Sequence, residues 1–144
     1  MDIRGEIESW FSNIRGKKFK IIKASGKFNC VAYTLDFYED WVWTNEKTWP
    51  HNKIPRDSGI GGFRSLYQLH GYIECNTSDL EDGYEKIAFY SKNGKPTHAS
   101  KQFGKMWRSK LGISYIIEHE LDWLCGYGDD EYGEIEFIMK RKIH

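Results

Sequence analysis

The fold is decided by residues 84–102, which read YEKIAFYSKNGKPTHASKQ. Asn-Gly at 93–94 is the dipeptide most typical of a tight hairpin turn, because both central residues of a type I′ turn need a positive φ. The apolar run before it predicts a buried strand over residues 84–90, and residues 96–102 are its partner. A further turn leads into residues 106–109. The sequence therefore predicts a three-stranded antiparallel meander.

Further strands are predicted on both sides of the meander. β-branched residues bounded by Ser-Gly predict an extended segment over residues 19–24, and a short strand is predicted over residues 72–75. Near the end of the chain, residues 134–140 alternate between charged and apolar types. That period is typical of a half-buried strand.

Helices are predicted at four places. Apolar residues at helical spacing predict one over about residues 2–15 and another over about residues 58–70. Asn29 is a favourable N-cap for a helix that begins at Cys30. The fourth is predicted to begin near residue 114 on apolar residues at i, i+4 and i+7 spacing, namely Ile117, Leu121 and Leu124. Together these elements predict an α+β fold in which N-terminal helices pack on an antiparallel β-sheet.

Length and composition restrict the class of protein. The 144 residues are 40% hydrophobic and 16% aromatic, which suits one domain spanning residues 1–144. Acidic and basic residues balance at 21 each, so we expect no nucleic-acid partner. No long apolar window and no secretory pattern at the N-terminus are present, so we expect no membrane span and a cytoplasmic location. The three cysteines lack metal-ligand spacing to a histidine, and we expect neither a disulfide framework nor a metal or other cofactor.

Cys30 and His98 are the candidate catalytic pair. A cysteine in the first turn of a helix lies in the field of unpaired backbone amides, which favours thiolate over thiol. A histidine that the fold brings close can accept the thiol proton. The alternative is that Cys30 is a small buried hydrophobe and His98 a hydrogen-bonded core residue.

This arrangement resembles the papain-like superfamily, in which a cysteine opens a helix packed on an antiparallel sheet and a histidine on that sheet faces the sulfur. Residues 84–100 are also similar to the NlpC/P60 branch, which hydrolyses peptidoglycan stem peptides. In that branch the general base is usually a histidine that opens the first of these two strands, and a histidine on the second strand orients it. This sequence has Glu85 and Lys86 at the first place. Two alternatives follow: His98 is the base in a shifted register, or the site is altered.

A closer resemblance is to a small family of bacterial domains with six short motifs. They are Asn-Cys-x-Ala, Gly-Tyr-Glu-Lys-Ile-Ala-x-Tyr, Thr-His-Ala, Trp-x-Ser-Lys-Leu-Gly, Glu-His and Tyr-Gly, and they occur at residues 29–32, 83–90, 97–99, 107–112, 118–119 and 132–133. The resemblance covers roughly residues 29–133 and implies a papain-like fold without fixing an activity. By analogy with related folds it also suggests an effector or toxin role between bacteria.

Several polar residues are candidates for the group that orients the imidazole of His98. Such a group must accept a hydrogen bond from the far ring nitrogen, which a carboxylate or a hydroxyl can do. Glu85 on the preceding strand and Ser109 on the following strand are geometrically simplest. Glu118 and His119 remain open as further candidates.

Aromatic residues are candidates for the wall of a substrate cleft. Over residues 36–55 regular periodicity is lost, and aromatic residues between 37 and 49 stand among acidic residues, asparagines and prolines. This predicts a loop packed by its own aromatics over a cleft. The residues expected to contact substrate are Asn29, Trp41, Trp43, Trp49 and Trp107. The alternative for the loop is a separate hydrophobic cluster without a ligand.

Two functions follow from these patterns. The first is a cysteine hydrolase or acyltransferase that acts on an amide or ester bond of a peptide-like or other acyl substrate, with Cys30 as nucleophile and His98 as general base. The second is a catalytically inactive papain-like scaffold that serves as a binding or interaction domain. The missing histidine on the first strand favours the second function.

Overall fold

A computed structural model describes residues 3–23, 28–36, 42–43, 59–111 and 115–143. Its described residues form a seven-stranded antiparallel sheet with the strand order β1-β6-β5-β4-β3-β7-β2. The strands are β1 (Lys20–Lys23), β2 (Ile73–Cys75), β3 (Tyr84–Lys92), β4 (Lys95–Phe103), β5 (Met106–Leu111), β6 (Tyr115–His119) and β7 (Glu134–Lys142).

Short helices complete the described part of the chain. The α-helices are α1 (Ile3–Trp10), α2 (Cys30–Thr34) and α3 (Ile60–Leu69), and the 3₁₀ helices are Ser12–Ile14 and Leu121–Leu124. None of the helices within these described ranges is long and apolar enough to cross a membrane.

The predicted α+β papain-like fold, with N-terminal helices packed on the sheet, is wrong. The fold is β-rich, because strands before and after the predicted meander join it to form one seven-stranded sheet. β1 and β6 extend it on one side, while β7 and β2 extend it on the other. The three α-helices have only 8, 5 and 10 residues. Backbone pairing between segments far apart in sequence decided the fold class, and local periodicity does not report such pairing.

The helix predicted from residue 114 is also wrong. β6 occupies that segment and pairs with β1 on one edge and with β5 on the other. Ile117 packs in the core on one face of the sheet and Ile116 against the core on the other, which is the alternation of a strand. A short apolar run does not distinguish a strand followed by a 3₁₀ turn from a helix.

Three local predictions near the site are confirmed. The hairpin turn is at Asn93 and Gly94, where φ is 53° and 78°. The helix at Cys30 is α2, and Asn29 is its N-cap. α3 matches the helix predicted over residues 58–70.

The sheet carries an apolar core on each face. On the face that we call the α2 face, Phe89 packs with Val31 of α2 and with Phe63 of α3. On the opposite face, which we call the α1 face, Tyr90 packs with Ile7 of α1. Phe89 and Tyr90 are neighbours in β3, and successive side chains of a strand point to opposite faces.

A β-bulge in β4 lies next to His98. The register with β3 passes from Tyr90 opposite His98 to Ser91 opposite Pro96, so Thr97 is the extra residue. Such a bulge re-aims the side chains beside it. It changes where Thr97 and His98 point at this end of β4.

On the other edge of β4 the ladder with β5 is short. The paired residues run from Lys101 opposite Arg108 to Phe103 opposite Met106. The first half of β4 and the last residues of β5 are outside this ladder, and α2 packs against both strands. The candidate site lies where the two strands stop pairing.

Candidate functional site

A cavity of about 360 Å³ lies between the start of α2 and the unpaired parts of β4 and β5. Cavities of this size hold small ligands. The described residues that line it are Asn29, Cys30, Trp43, Thr97, His98, Lys110 and Tyr132. The structure therefore brings together four of the predicted site residues, Asn29, Cys30, Trp43 and His98.

Cys30 is the first residue of α2, and it is buried on the α2 face. Burial raises the pKa of its thiol to about 11. Backbone hydrogen bonds from Ala99 and Val31, and the charge of Lys110, act in the opposite direction. Since burial outweighs them, Cys30 is a protonated thiol in the resting protein at neutral pH.

His98 is 1% exposed, and its Nε2 is buried without a hydrogen-bond partner. Its ring stacks on the ring of Tyr132, with centroids 4.1 Å apart and planes 8° apart. Burial and the nearby His119 hold the pKa of His98 well below its usual range. His98 is therefore a neutral imidazole that faces a cavity and has a ring nitrogen available for a hydrogen bond.

Asn29 holds two chain segments together at the mouth of the cavity. Its Oδ1 accepts from the backbone N–H of Ala32 at 3.0 Å and from that of Val42 at 3.1 Å. Its Nδ2 donates to the carbonyl oxygen of Val42 at 2.8 Å. Trp43 follows Val42 in the chain, and its ring packs on the ring of Phe63 in α3, with centroids 4.9 Å apart. Asn29 thus positions Trp43 on the cavity wall.

Lys110 and Tyr132 line the cavity, and sequence reasoning did not select them as site residues. In the sequence, Lys110 belongs to the Trp-x-Ser-Lys-Leu-Gly motif and Tyr132 to the Tyr-Gly motif. Tyr132 is fixed by its backbone, because its carbonyl oxygen accepts from Thr97 Oγ1 at 2.6 Å and its N–H donates to the Leu124 carbonyl at 3.1 Å. The signal for Tyr132 was that motif; the bulge that brings Thr97 and His98 to it has no sequence signature.

Glu85 lies away from this cavity. It lines a separate depression of about 700 Å³ with His70, Tyr84 and Lys140. Its carboxylate forms an ion pair with Arg141 on β7, the residue directly opposite in the ladder. The structure therefore does not bring Glu85 together with His98.

Ser109 belongs to a buried hydrogen-bonded chain. Its Oγ lies 2.6 Å from Nε2 of His119 and 2.7 Å from Oγ of Ser100. Nδ1 of His119 lies 2.7 Å from the carbonyl oxygen of Glu120, which can only accept, so Nδ1 carries the proton and Nε2 accepts from Ser109. Burial lowers the pKa of His119 to about 4, so this histidine is neutral. The hydroxyl proton of Ser109 is therefore directed to His119.

The remaining predicted contacts lie elsewhere. Trp107 is 4% exposed and lines another depression, of about 630 Å³, with Gln102 and Glu120. The predictions for Trp41 and Trp49 lie outside the described residues. Glu118 pairs with Arg108 at 3.1 Å, and within the described ranges no group of three or more His, Cys, Asp or Glu residues could hold a metal ion.

The fold and the cavity define the chain as a β-rich domain with a buried cysteine and a buried histidine facing one small cavity. Residues 20–140 match the family model described as Domain of unknown function (DUF7689). The chain belongs to this family. It matches no curated protein and no solved structure.

Proposed function

We propose that the chain is a cysteine hydrolase or acyltransferase that acts on an amide or ester bond of a small acyl substrate. The observation that supports this is that Cys30 and His98 line the same cavity, and that Nε2 of His98 is buried without a hydrogen-bond partner. A nucleophile and a base must share a site that admits the substrate. The cavity provides room for a compact acyl group beside Trp43.

In the proposed reaction, Nε2 of His98 takes the proton of the Cys30 thiol, and the sulfur attacks the substrate carbonyl carbon. The bond from that carbon to the leaving group then breaks, and His98 gives the proton to the leaving amine or alcohol. A thioester on Cys30 remains. Water hydrolyses it, or a second nucleophile accepts the acyl group, and the free thiol is restored.

The resting charges of the pair favour a general-base route. With a thiol pKa of about 11, only about one Cys30 in 10,000 is ionised at pH 7. His98 is neutral because burial lowers its pKa, so it is ready to accept a proton. The proton therefore passes from Cys30 to His98 only when the substrate reacts. A thiolate–imidazolium ion pair does not have to form beforehand.

The second candidate function is ligand binding without turnover. It is favoured by the same neutral state, since a protonated thiol and an uncharged imidazole also suit a binding cavity. Trp43 and Tyr132 supply the aromatic surfaces that small-molecule sites commonly have. The two candidates differ in whether Cys30 becomes acylated.

Acylation by p-nitrophenyl acetate distinguishes them. We expect release of p-nitrophenolate and an acetyl thioester on Cys30, found by mass spectrometry of peptides from the acid-quenched protein. His98→Gln should slow this acylation by about a hundredfold or more, because a positioned general base contributes on that order. Cys30→Ala should abolish the labelled peptide.

The matched control is His70→Gln, because His70 lines a different depression. It should acylate at the wild-type rate. If wild type, His98→Gln and Cys30→Ala release p-nitrophenolate equally fast, the enzyme proposal is wrong. Circular dichroism of each variant shows whether the fold is kept.

A further inference from the structure

Lys110 places a positive charge next to Phe28, in the segment that leads into α2. Its side chain is buried, at 2% exposure, on β5. Its Nζ donates to the carbonyl oxygen of Phe28 at 2.9 Å and lies 4.5 Å from the centre of the Phe28 ring. Burial lowers the pKa of Lys110. The contacts with Phe28 act in the opposite direction, because a carbonyl oxygen and a ring face both stabilise an ammonium group.

The same contacts hold the charge close to Cys30. Phe28 precedes Cys30 by two residues, so Nζ is fixed against the segment that leads into α2. Lys110 and Cys30 also line the same cavity. The attraction between the two groups is mutual: each lowers the free energy of the other's charged form.

Three other titratable groups of the described residues line the cavity or interact with Cys30, namely His98, Tyr67 and Tyr132, and these are neutral at pH 7. His98 of β4 is neutral because of its burial. Burial likewise raises the pKa of Tyr67 on α3 well above its usual range, and it raises that of Tyr132. Among these described groups near Cys30, Lys110 therefore supplies the positive charge.

We propose that the Lys110 ammonium is the positioning counter-charge of the Cys30 thiolate, and that it makes the cavity favour negatively charged electrophiles over neutral ones. The inference rests on the proposed function for its role in turnover. When Cys30 loses its proton during reaction, the new charge forms beside a cation already held by Phe28. A substrate with a carboxylate close to the reacting carbon gains from the same cation.

Alkylation tests this without any turnover. In this reaction the sulfur forms a bond to the CH₂ carbon of iodoacetate or iodoacetamide, and iodide leaves. The rate at Cys30 is read by mass spectrometry of its peptide, apart from Cys75 and Cys125, which are also free thiols. The ratio of the iodoacetate rate to the iodoacetamide rate is compared with the ratio for 2-mercaptoethanol.

We expect Cys30 of the wild type to have the higher ratio. Lys110→Met should lower it to the value of the small thiol, and should slow alkylation by iodoacetamide about tenfold at a fixed pH below the thiol pKa, because an opposite charge nearby shifts a pKa by about one unit or more. Lys110→Arg should restore most of the preference. Exposed Lys105 provides the charge-matched control, and Lys105→Met should leave both rates unchanged.

Two outcomes overturn the proposal. One is a wild-type ratio no higher than that of 2-mercaptoethanol, a measurement that needs no variant to fold. The other is a folded Lys110→Met protein with the wild-type ratio and the wild-type pH profile of alkylation. Failure of p-nitrophenyl acetate to acylate Cys30, with the alkylation preference intact, would instead contradict only the proposed function.

Discussion

At the scale of single residues, the buried polar atoms explain which predicted roles the structure allows. Ser109 is bonded to His119 and Glu85 to Arg141, so their polar atoms are already paired. His98 differs, because its Nε2 is buried and unpartnered, a state that costs about 1–3 kcal/mol. A ligand group that forms a hydrogen bond with Nε2 removes that cost. We therefore expect the cavity to bind ligands with such a polar group more tightly than wholly apolar ligands.

Asn29 gives the first prediction at this scale. Asn29→Ala removes the N-cap bond to Ala32 and both bonds to Val42, so the free energy of unfolding should fall by about 2–3 kcal/mol. Equilibrium urea unfolding measures this change. The release of Val42 should also alter the environment of Trp43, which tryptophan fluorescence reports.

Asn29→Ser is the control for that prediction. The hydroxyl can still cap the N–H of Ala32 but cannot keep both bonds to Val42. Its loss of stability should therefore be smaller than that of Asn29→Ala. Equal losses in the two variants would contradict the role assigned to the cap.

At the scale of elements, the sequence predicted those features whose causes are local. The Asn-Gly turn, the N-cap before α2 and the alternation of β7 each depend on neighbouring residues. Those signals predicted the position of Cys30 at the start of a helix and the position of His98 on a strand. The placement of β6 between β1 and β5 depends on partners nearly a hundred residues apart on one side, and no local pattern reports them.

The cavity was less predictable than its two main residues. It depends on the bulge at Thr97 and on a ladder between β4 and β5 that ends at Lys101. Both are outcomes of packing, because α2 lies against the two strands at that point. Lys110 and Tyr132 therefore entered the site only through the structure.

Gly133 carries the prediction at the scale of elements. Its φ is +86°, and a Cβ there would come within 2.0 Å of the carbonyl oxygen of Ser91 and 2.7 Å of Cα of Lys92. Since those atoms are backbone, Gly133→Ala should displace the Tyr132 segment from His98 and lower the free energy of unfolding by more than about 2 kcal/mol. Urea unfolding and the rate of Cys30 alkylation measure the two effects.

Gly83 provides the matched control, with a φ of +80° and no atom within 4 Å of an added Cβ. Gly83→Ala should lower the free energy of unfolding by only about 1 kcal/mol, the cost of a left-handed residue alone. It should leave alkylation of Cys30 unchanged. If the two alanine variants lose equal stability, the close approach of Gly133 to β3 does not matter energetically.

At the scale of the whole molecule, the core holds two neutral histidines, His98 and His119. Burial keeps the pKa of each below its ordinary value of 6.5, well below for His98 and to about 4 for His119. In the unfolded chain both take up a proton near pH 6.5. Below that pH the unfolded state therefore binds more protons than the folded state, and acid favours unfolding.

The free energy of unfolding should therefore fall as the pH drops from 6.5 to 4.5. His119 alone should remove about 2 kcal/mol over this range, and His98 acts in the same direction. The carboxylate of Glu81, whose pKa is lowered by hydrogen bonds from Lys140 and Lys86, loses its charge only below its ordinary value of 4.5. Most of the fall between pH 6.5 and 4.5 therefore comes from the histidines.

Urea unfolding at half-unit pH steps measures this slope. His119→Gln should about halve it, because the amide can donate to the Glu120 carbonyl and accept from Ser109 without taking up a proton. The double variant with both His119→Gln and His98→Gln should lose most of the remaining slope. A wild-type free energy of unfolding that stays constant from pH 7 to 4.5 would show that these histidines are protonated in the folded protein, and the neutral base on which the proposed reaction depends would be lost with it.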